Sequence, residues 1–235
     1  MPARRMLVLL PGMEGSGIVF GPLVATAPDD LETLTITYPP GEGQGYDALL
    51  PLARALLPRD RPFHLLGWSF GGPLALRAAA ENPPGLEGVI LASSFVRRPS
   101  WVPTVLGALA RPWLFRLYPP ASQLNALLGR QSTPELRRLM GEAHALAGPA
   151  AIAARVHAAM TVDATAALLA CPVPILYLRT RTDRVVRPRC ADEIRALVPS
   201  VEIVEIEGSH LGLITNPAAS WAALSAFMAR TGGAP

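Results

Sequence analysis

The chain has 235 residues, half of them apolar and only 17% charged, with two cysteines. That balance excludes intrinsic disorder and a disulfide scaffold, and no apolar run reaches the ~18 residues that span a bilayer. The net charge of +3 rests on arginine alone, scattered without interleaved aromatics, so neither a nucleic-acid surface nor a membrane partner is expected. A single hydrophobic core fits this length. The apolar stretch 6–10 is too short for a signal sequence and ends in Pro-Gly, so a cytoplasmic protein with free Cys171 and Cys190 is expected.

Strand-like runs occur at 6–10, 34–38, 63–68, 88–92, 175–179 and 201–206. Several are continuous apolar runs, the pattern of parallel strands covered on both faces. Helical patterns at 46–57, 73–82, 190–198 and 218–230 alternate with them, which predicts an α/β open sheet with right-handed crossovers. The interval from Phe95 to Ala170 breaks that rhythm. It is rich in Ala, Leu and Arg, punctuated by proline, and too long for a loop. It reads as a helical cap over residues 96–170, inserted after the fourth strand into a core formed by 1–95 and 171–235.

The strongest chemical signal is Gly67-Trp68-Ser69-Phe70-Gly71-Gly72, between the strand 63–68 and the helix 73–82. A serine there occupies a sharp turn that needs flanking glycines and lifts its hydroxyl clear of the sheet. Such a hydroxyl attacks only when a base takes its proton. Of the four histidines, His64 lies within a strand, and His144 and His157 lie in the cap. His210, in the glycine-flanked loop Gly208-Ser209-His210, follows the last strand at the sheet edge where open α/β folds place their sites. An imidazole base in turn needs a carboxylate to hold its tautomer. Asp183, just past the fifth strand, fits best, although Arg181 and Arg184 flank it and a surface ion pair is the competing reading. Asp163 and Asp192 are weaker alternatives, and Ala92-Ser93-Ser94-Phe95 offers no acid after the fourth strand.

The order Ser69, Asp183, His210, with Pro172-Val173-Pro174-Ile175-Leu176-Tyr177, Gly208-Ser209-His210 and Asn216-Pro217, resembles the α/β-hydrolase superfamily over nearly the whole chain. Within it the chain is similar to compact esterases and thioesterases such as the pimeloyl-carrier-protein methyl ester esterases, whose nucleophile turn also reads Gly-Trp-Ser. The resemblance implies a minimal, mostly parallel six-stranded sheet beginning at the family's third strand. It implies a catalytic triad of Ser69, His210 and Asp183, with the backbone amides of Met13 and Phe70 as oxyanion donors. Many relatives carry His-Gly before the first donor, where this chain has Pro11-Gly12. Glu14 would oppose a developing oxyanion if aimed at it, so it is expected to point away.

Gly12, Gly15 and Gly17 invite a rival reading as a dinucleotide cradle, but their order is not the G-x-G-x-x-G fingerprint and no acid ends the second strand. No ligand pair has metal-binding spacing, so neither cofactor nor metal is expected. The cap carries Trp101, Trp113, Phe115, Tyr118, Leu124, Leu127, Leu128, Met140 and Met160. Part of a pocket wall built from these should be apolar and favour an uncharged acyl group. Arg97 and Arg98 at its entrance read as a solvated pair, with contact to a carrier's phosphopantetheine arm as the alternative. The expected activity is serine hydrolysis of a small-molecule ester or thioester. An acyltransferase or perhydrolase, or a non-catalytic ligand-binding protein on the same fold, is the alternative.

Overall fold

The structure, a computed structural model, describes residues 5–41, 44–99 and 127–232. Six parallel strands form one sheet in the order β2-β1-β3-β4-β5-β6. They are β1 (Arg5–Leu10), β2 (Leu31–Thr35), β3 (Phe63–Trp68), β4 (Leu86–Ala92), β5 (Ile175–Thr180) and β6 (Glu202–Ile206). The inner four are almost wholly buried along their length, whereas the edges β2 and β6 alternate or stay half-exposed. This is the division that helices on both faces of a parallel sheet impose.

Nine α-helices are described: α1 (Gly21–Val24), α2 (Tyr46–Leu56), α3 (Gly71–Ala80), α4 (Pro134–Ala147), α5 (Pro149–Thr161), α6 (Thr165–Leu169), α7 (Arg189–Leu197), α8 (Gly212–Thr215) and α9 (Pro217–Thr231). They pack as groups: α2 and α6 against α3, α1 and α9 against α8. Through α3 and α9 these groups bear on the central strands. None of them is long and apolar enough to cross a membrane.

The interval between β4 and β5 carries α4, α5 and α6 among its described residues, while 93–99 are non-helical and Arg97 bridges to Asp163. Thr133 caps α4 by accepting the Leu136 amide at 3.2 Å, with Pro134 in the first turn, and Gly148 at φ 77° separates α4 from the Pro149 start of α5. Trp101, Trp113, Phe115, Tyr118 and Leu124 lie outside the described residues, while Leu127, Leu128, Met140 and Met160 are buried.

The second strand departs from the sequence reading. It runs Leu31–Thr35 rather than 34–38, in register with β1 from Arg5 against Leu31 to Leu9 against Thr35. Ile36 and Tyr38 are buried, but not as strand residues. The Tyr38 amide donates to the Gly15 carbonyl at 2.7 Å and its hydroxyl to the Pro11 carbonyl at 3.1 Å. Tyr38 therefore serves the loop after β1, whereas the Ile36 amide donates to the Leu9 carbonyl at 3.0 Å, just past the last ladder pair.

His64, on β3, is a core residue. His64 Nε2 lies 2.7 Å from the Thr231 hydroxyl, and Nδ1 lies 3.7 Å from Glu87 Oε2. Burial, with a smaller contribution from Arg5, lowers the His64 pKa from 6.5 to about 4. Because the folded pKa is depressed, the unfolded chain takes up the proton first as pH falls, and stability is lost through that window. His64→Gln should lose less stability than wild type between pH 6.5 and 4, a difference on the order of 3 kcal/mol by urea denaturation.

Candidate active site

Three strand ends supply the site. After β3 the chain enters α3 through Ser69, which adopts φ 52°, a left-handed conformation that costs a non-glycine residue about 1–2 kcal/mol. A side chain at Gly67 would run into the backbone of Gly71 and Gly72, and one at Gly72 into the Ser94 hydroxyl. The turn is braced from β4. The Ser69 amide donates to the Ala92 carbonyl at 2.9 Å, and the Ser69 carbonyl accepts the Gly72 amide at 3.1 Å and Ser94 Oγ at 2.7 Å. Tyr177, on β5, donates its hydroxyl to the Ser94 carbonyl at 2.6 Å and accepts the Ser94 amide at 3.2 Å.

The structure brings Ser69, His210 and Asp183 into contact. His210 Nδ1 lies 2.8 Å from Asp183 Oδ2, and Nε2 lies 2.9 Å from Ser69 Oγ. A carboxylate only accepts, so Nδ1 carries the proton and Nε2 is left to accept from the serine hydroxyl. All three side chains are buried. Asp183 Oδ1 accepts the amides of Val185 at 2.7 Å and Val186 at 2.9 Å, and Thr180 Oγ1 lies 3.4 Å from Oδ2. Burial alone would raise the Asp183 pKa, but His210 and these donors outweigh it and hold the group below its ordinary value. Arg181 pairs with Glu207, not with Asp183. Asp163 binds the Thr165 amide and Arg97, and Asp192 pairs with Arg179, so neither weaker alternative reaches His210.

The loop after β1 closes one side. Met13 lines a cavity of about 50 Å³ together with Gly12, Glu14, Trp68, Ser69, Leu127, Met140, His144, Ile152 and His210. Phe70 follows Ser69 at the start of α3, where helix amides lack intrahelical partners. Glu14 folds back on its own loop: Oε2 accepts the Ser16 amide and hydroxyl, both at 2.6 Å, and the Gly17 amide at 3.1 Å. Its Oε1 is buried without a hydrogen-bond partner, and burial raises its pKa despite those donors.

Sequence reasoning missed the residues that hold these groups. Ser94 and Tyr177 brace the Ser69 turn. Gln131, in the insert, accepts the Ser209 amide at 3.2 Å and the Thr215 hydroxyl at 2.8 Å, pinning the His210 loop. Trp68 donates its indole N–H to the His210 carbonyl at 3.3 Å. Ser94 alone had a visible signal, as a small polar residue where the fourth strand ends. A larger open groove of about 790 Å³ lies between Arg97, Arg98, residues 160–163 and α7. It contains none of the three contacting residues, and Arg97 is ion-paired there with Glu193 at 2.9 Å.

Residues 7–224 match the profile of the alpha/beta hydrolase family. The chain belongs to the alpha/beta hydrolase family. Among members of known name, it is 29% identical to the pimeloyl-[acyl-carrier protein] methyl ester esterase of Xylella fastidiosa strain 9a5c, covering 95% of this chain and 94% of that protein. It is 28% identical to the protein of the same name from Stenotrophomonas maltophilia strain K279a, covering 95% and 92%. The fold of this alpha/beta hydrolase is shared with a lipase-esterase related protein of Clostridium acetobutylicum (TM-score 0.80, 15% identity, 96% and 95% covered). It is shared equally with the esterase EaEST of Exiguobacterium antarcticum (TM-score 0.80, 14% identity, 97% and 93% covered).

Ser94→Ala should cost about 1 kcal/mol of stability, the worth of one buried hydrogen bond. It should also reduce turnover several-fold by loosening the Ser69 turn, and urea denaturation alongside steady-state kinetics checks both.

Proposed function

We propose that this alpha/beta hydrolase cleaves carboxylic esters of an uncharged, apolar acyl group through an acyl-enzyme on Ser69. The observation that carries the reading is the His210 bridge, 2.9 Å from Ser69 Oγ and 2.8 Å from Asp183 Oδ2, at the base of the apolar-walled cavity. Ser69 Oγ attacks the acyl carbon as His210 Nε2 takes its proton, and Asp183 stabilises the imidazolium that results. The amides of Met13 and Phe70 receive the oxyanion of the tetrahedral intermediate. His210 then gives its proton to the leaving alkoxide as the carbon–oxygen bond breaks. Water, deprotonated by His210, attacks the acyl-enzyme, and collapse of the second intermediate releases the acid and restores the Ser69 hydroxyl.

Leu127, Met140 and Ile152 line the cavity, and the buried Glu14 carboxyl disfavours an anionic acyl chain near the reacting carbon. The named relatives act on a methyl ester borne by a carrier-linked acyl group, which supports an oxygen ester as the scissile bond. A thioester is open to the same triad, and matched oxygen-ester and thioester series of increasing chain length separate the two. Transfer to an acceptor other than water, as in an acyltransferase or perhydrolase, is separated by product analysis with competing nucleophiles.

The decisive measurement is intact-mass spectrometry after incubation with an alkylphosphonate ester. A single adduct is expected on wild type and none on Ser69→Ala, with the variant retaining its melting temperature. Asp183→Asn should lower kcat by about 10⁴ through loss of the productive tautomer. Undiminished turnover by Ser69→Ala would sink the mechanism.

A further inference from the structure

Arg155 is the one arginine with no exposed surface among the described residues. It sits on α5, in the insert, yet its guanidinium reaches the loop after β1. Nη1 donates to the Met13 carbonyl at 2.9 Å and the Glu14 carbonyl at 3.1 Å, and Nη2 to the Pro39 carbonyl at 2.8 Å. The group lies over the Tyr38 ring, 5.3 Å from its centroid. Gly15, at φ 68°, leaves the space it fills, since a side chain there would collide with the guanidinium and with Tyr38. Nε has no hydrogen-bond partner.

Among the described residues no carboxylate stands at ion-pair distance from Arg155, and Glu14 acts on it only through space. Burying a guanidinium in that way is costly, and an apolar side chain would pack on the same helix face without the penalty. The planar fork fits what it touches, three carbonyls from two segments, in a way a lysine ammonium could not.

We propose that Arg155 is a positioning residue for the oxyanion hole. By holding the Met13 and Glu14 carbonyls toward the insert, it fixes the rotation of the Met13 backbone and so the aim of the Met13 amide at the substrate's carbonyl oxygen. A hydrogen bond weakens steeply as its angle departs from linearity, so a small rotation of this loop weakens transition-state stabilisation while leaving substrate binding nearly intact. The inference rests on the hydrolase reading above.

The test compares wild type, Arg155→Lys and Arg155→Met on p-nitrophenyl butyrate, with rates normalised to active sites titrated by the phosphonate. Inhibition by a trifluoromethyl ketone, whose serine hemiketal carries an oxyanion, is measured in parallel. For Arg155→Met, kcat should fall about 10- to 100-fold, less than the loss of a whole oxyanion donor, with KM within about threefold. The inhibitor's Ki should rise by a similar factor, and Arg155→Lys should fall between the two. A merely structural role would lower the titrated fraction and the melting temperature while kcat per site and Ki stay at wild-type values, and that result overturns the proposal. If Arg155→Met does not fold, the same per-site comparison on Arg155→Lys decides. Wild type that neither turns over ester nor takes the phosphonate on Ser69 would defeat the hydrolase reading and this inference with it. Active wild type alongside variants unimpaired per site defeats the role of Arg155 alone.

Discussion

Everything at the site hangs on one strained residue. Ser69 holds a left-handed backbone that its side chain disfavours, and it is kept there by contacts from outside the turn. The Ala92 carbonyl, the Gly72 amide and the Ser94 hydroxyl grip its two peptide groups, and Tyr177 holds Ser94 in turn. Apart from Gly72, which belongs to α3, these braces come from β4, the residues just past it and β5, in a parallel sheet buried on both faces, the least deformable part of the molecule. The strain is thereby carried by the sheet, and Ser69 Oγ meets His210 without having to search for it.

The opposite side of the site is held differently. The loops carrying Met13 and His210 leave the ends of β1 and β6, and each is tied from the insert between β4 and β5: the first by Arg155, the second by Gln131. Glu14 adds an internal tie by collecting the amides of Ser16 and Gly17. The insert therefore does more than wall a pocket: α5, through Arg155, and the turn Gly129–Gln131 ahead of α4 hold backbone groups of the loops beside Ser69 and His210.

Much of this architecture was legible in the sequence. Continuous apolar runs marked the inner strands, Ser69 and Asp183 each stood in a glycine-bearing or polar loop just past one of them, and His210 stood in a glycine-flanked loop past the edge strand β6. The edge strand was harder, because Ile36 and Tyr38 are buried just beyond its end, Tyr38 against the loop after β1, and their apolarity mimics a strand. Arg155 and Gln131 were not legible in their roles. Their partners are carbonyls and amides, which every residue possesses, so no residue type or spacing marks the pairing. An arginine on an Ala-rich helix reads as solvent-facing until its neighbours are known.

Trp68 gives the arrangement a further property. Its ring crowds the position a side chain at Gly12 would take, lies 5.6 Å from the His210 ring and 6.0 Å from Phe20, and its N–H holds the His210 carbonyl. One indole thus touches the loops that follow β1 and β6 while its own residue ends β3. Local opening in proteins occurs in cooperative blocks defined by shared contacts. With this ring between them the two loops share one packing surface, so displacing either one removes a contact of the other.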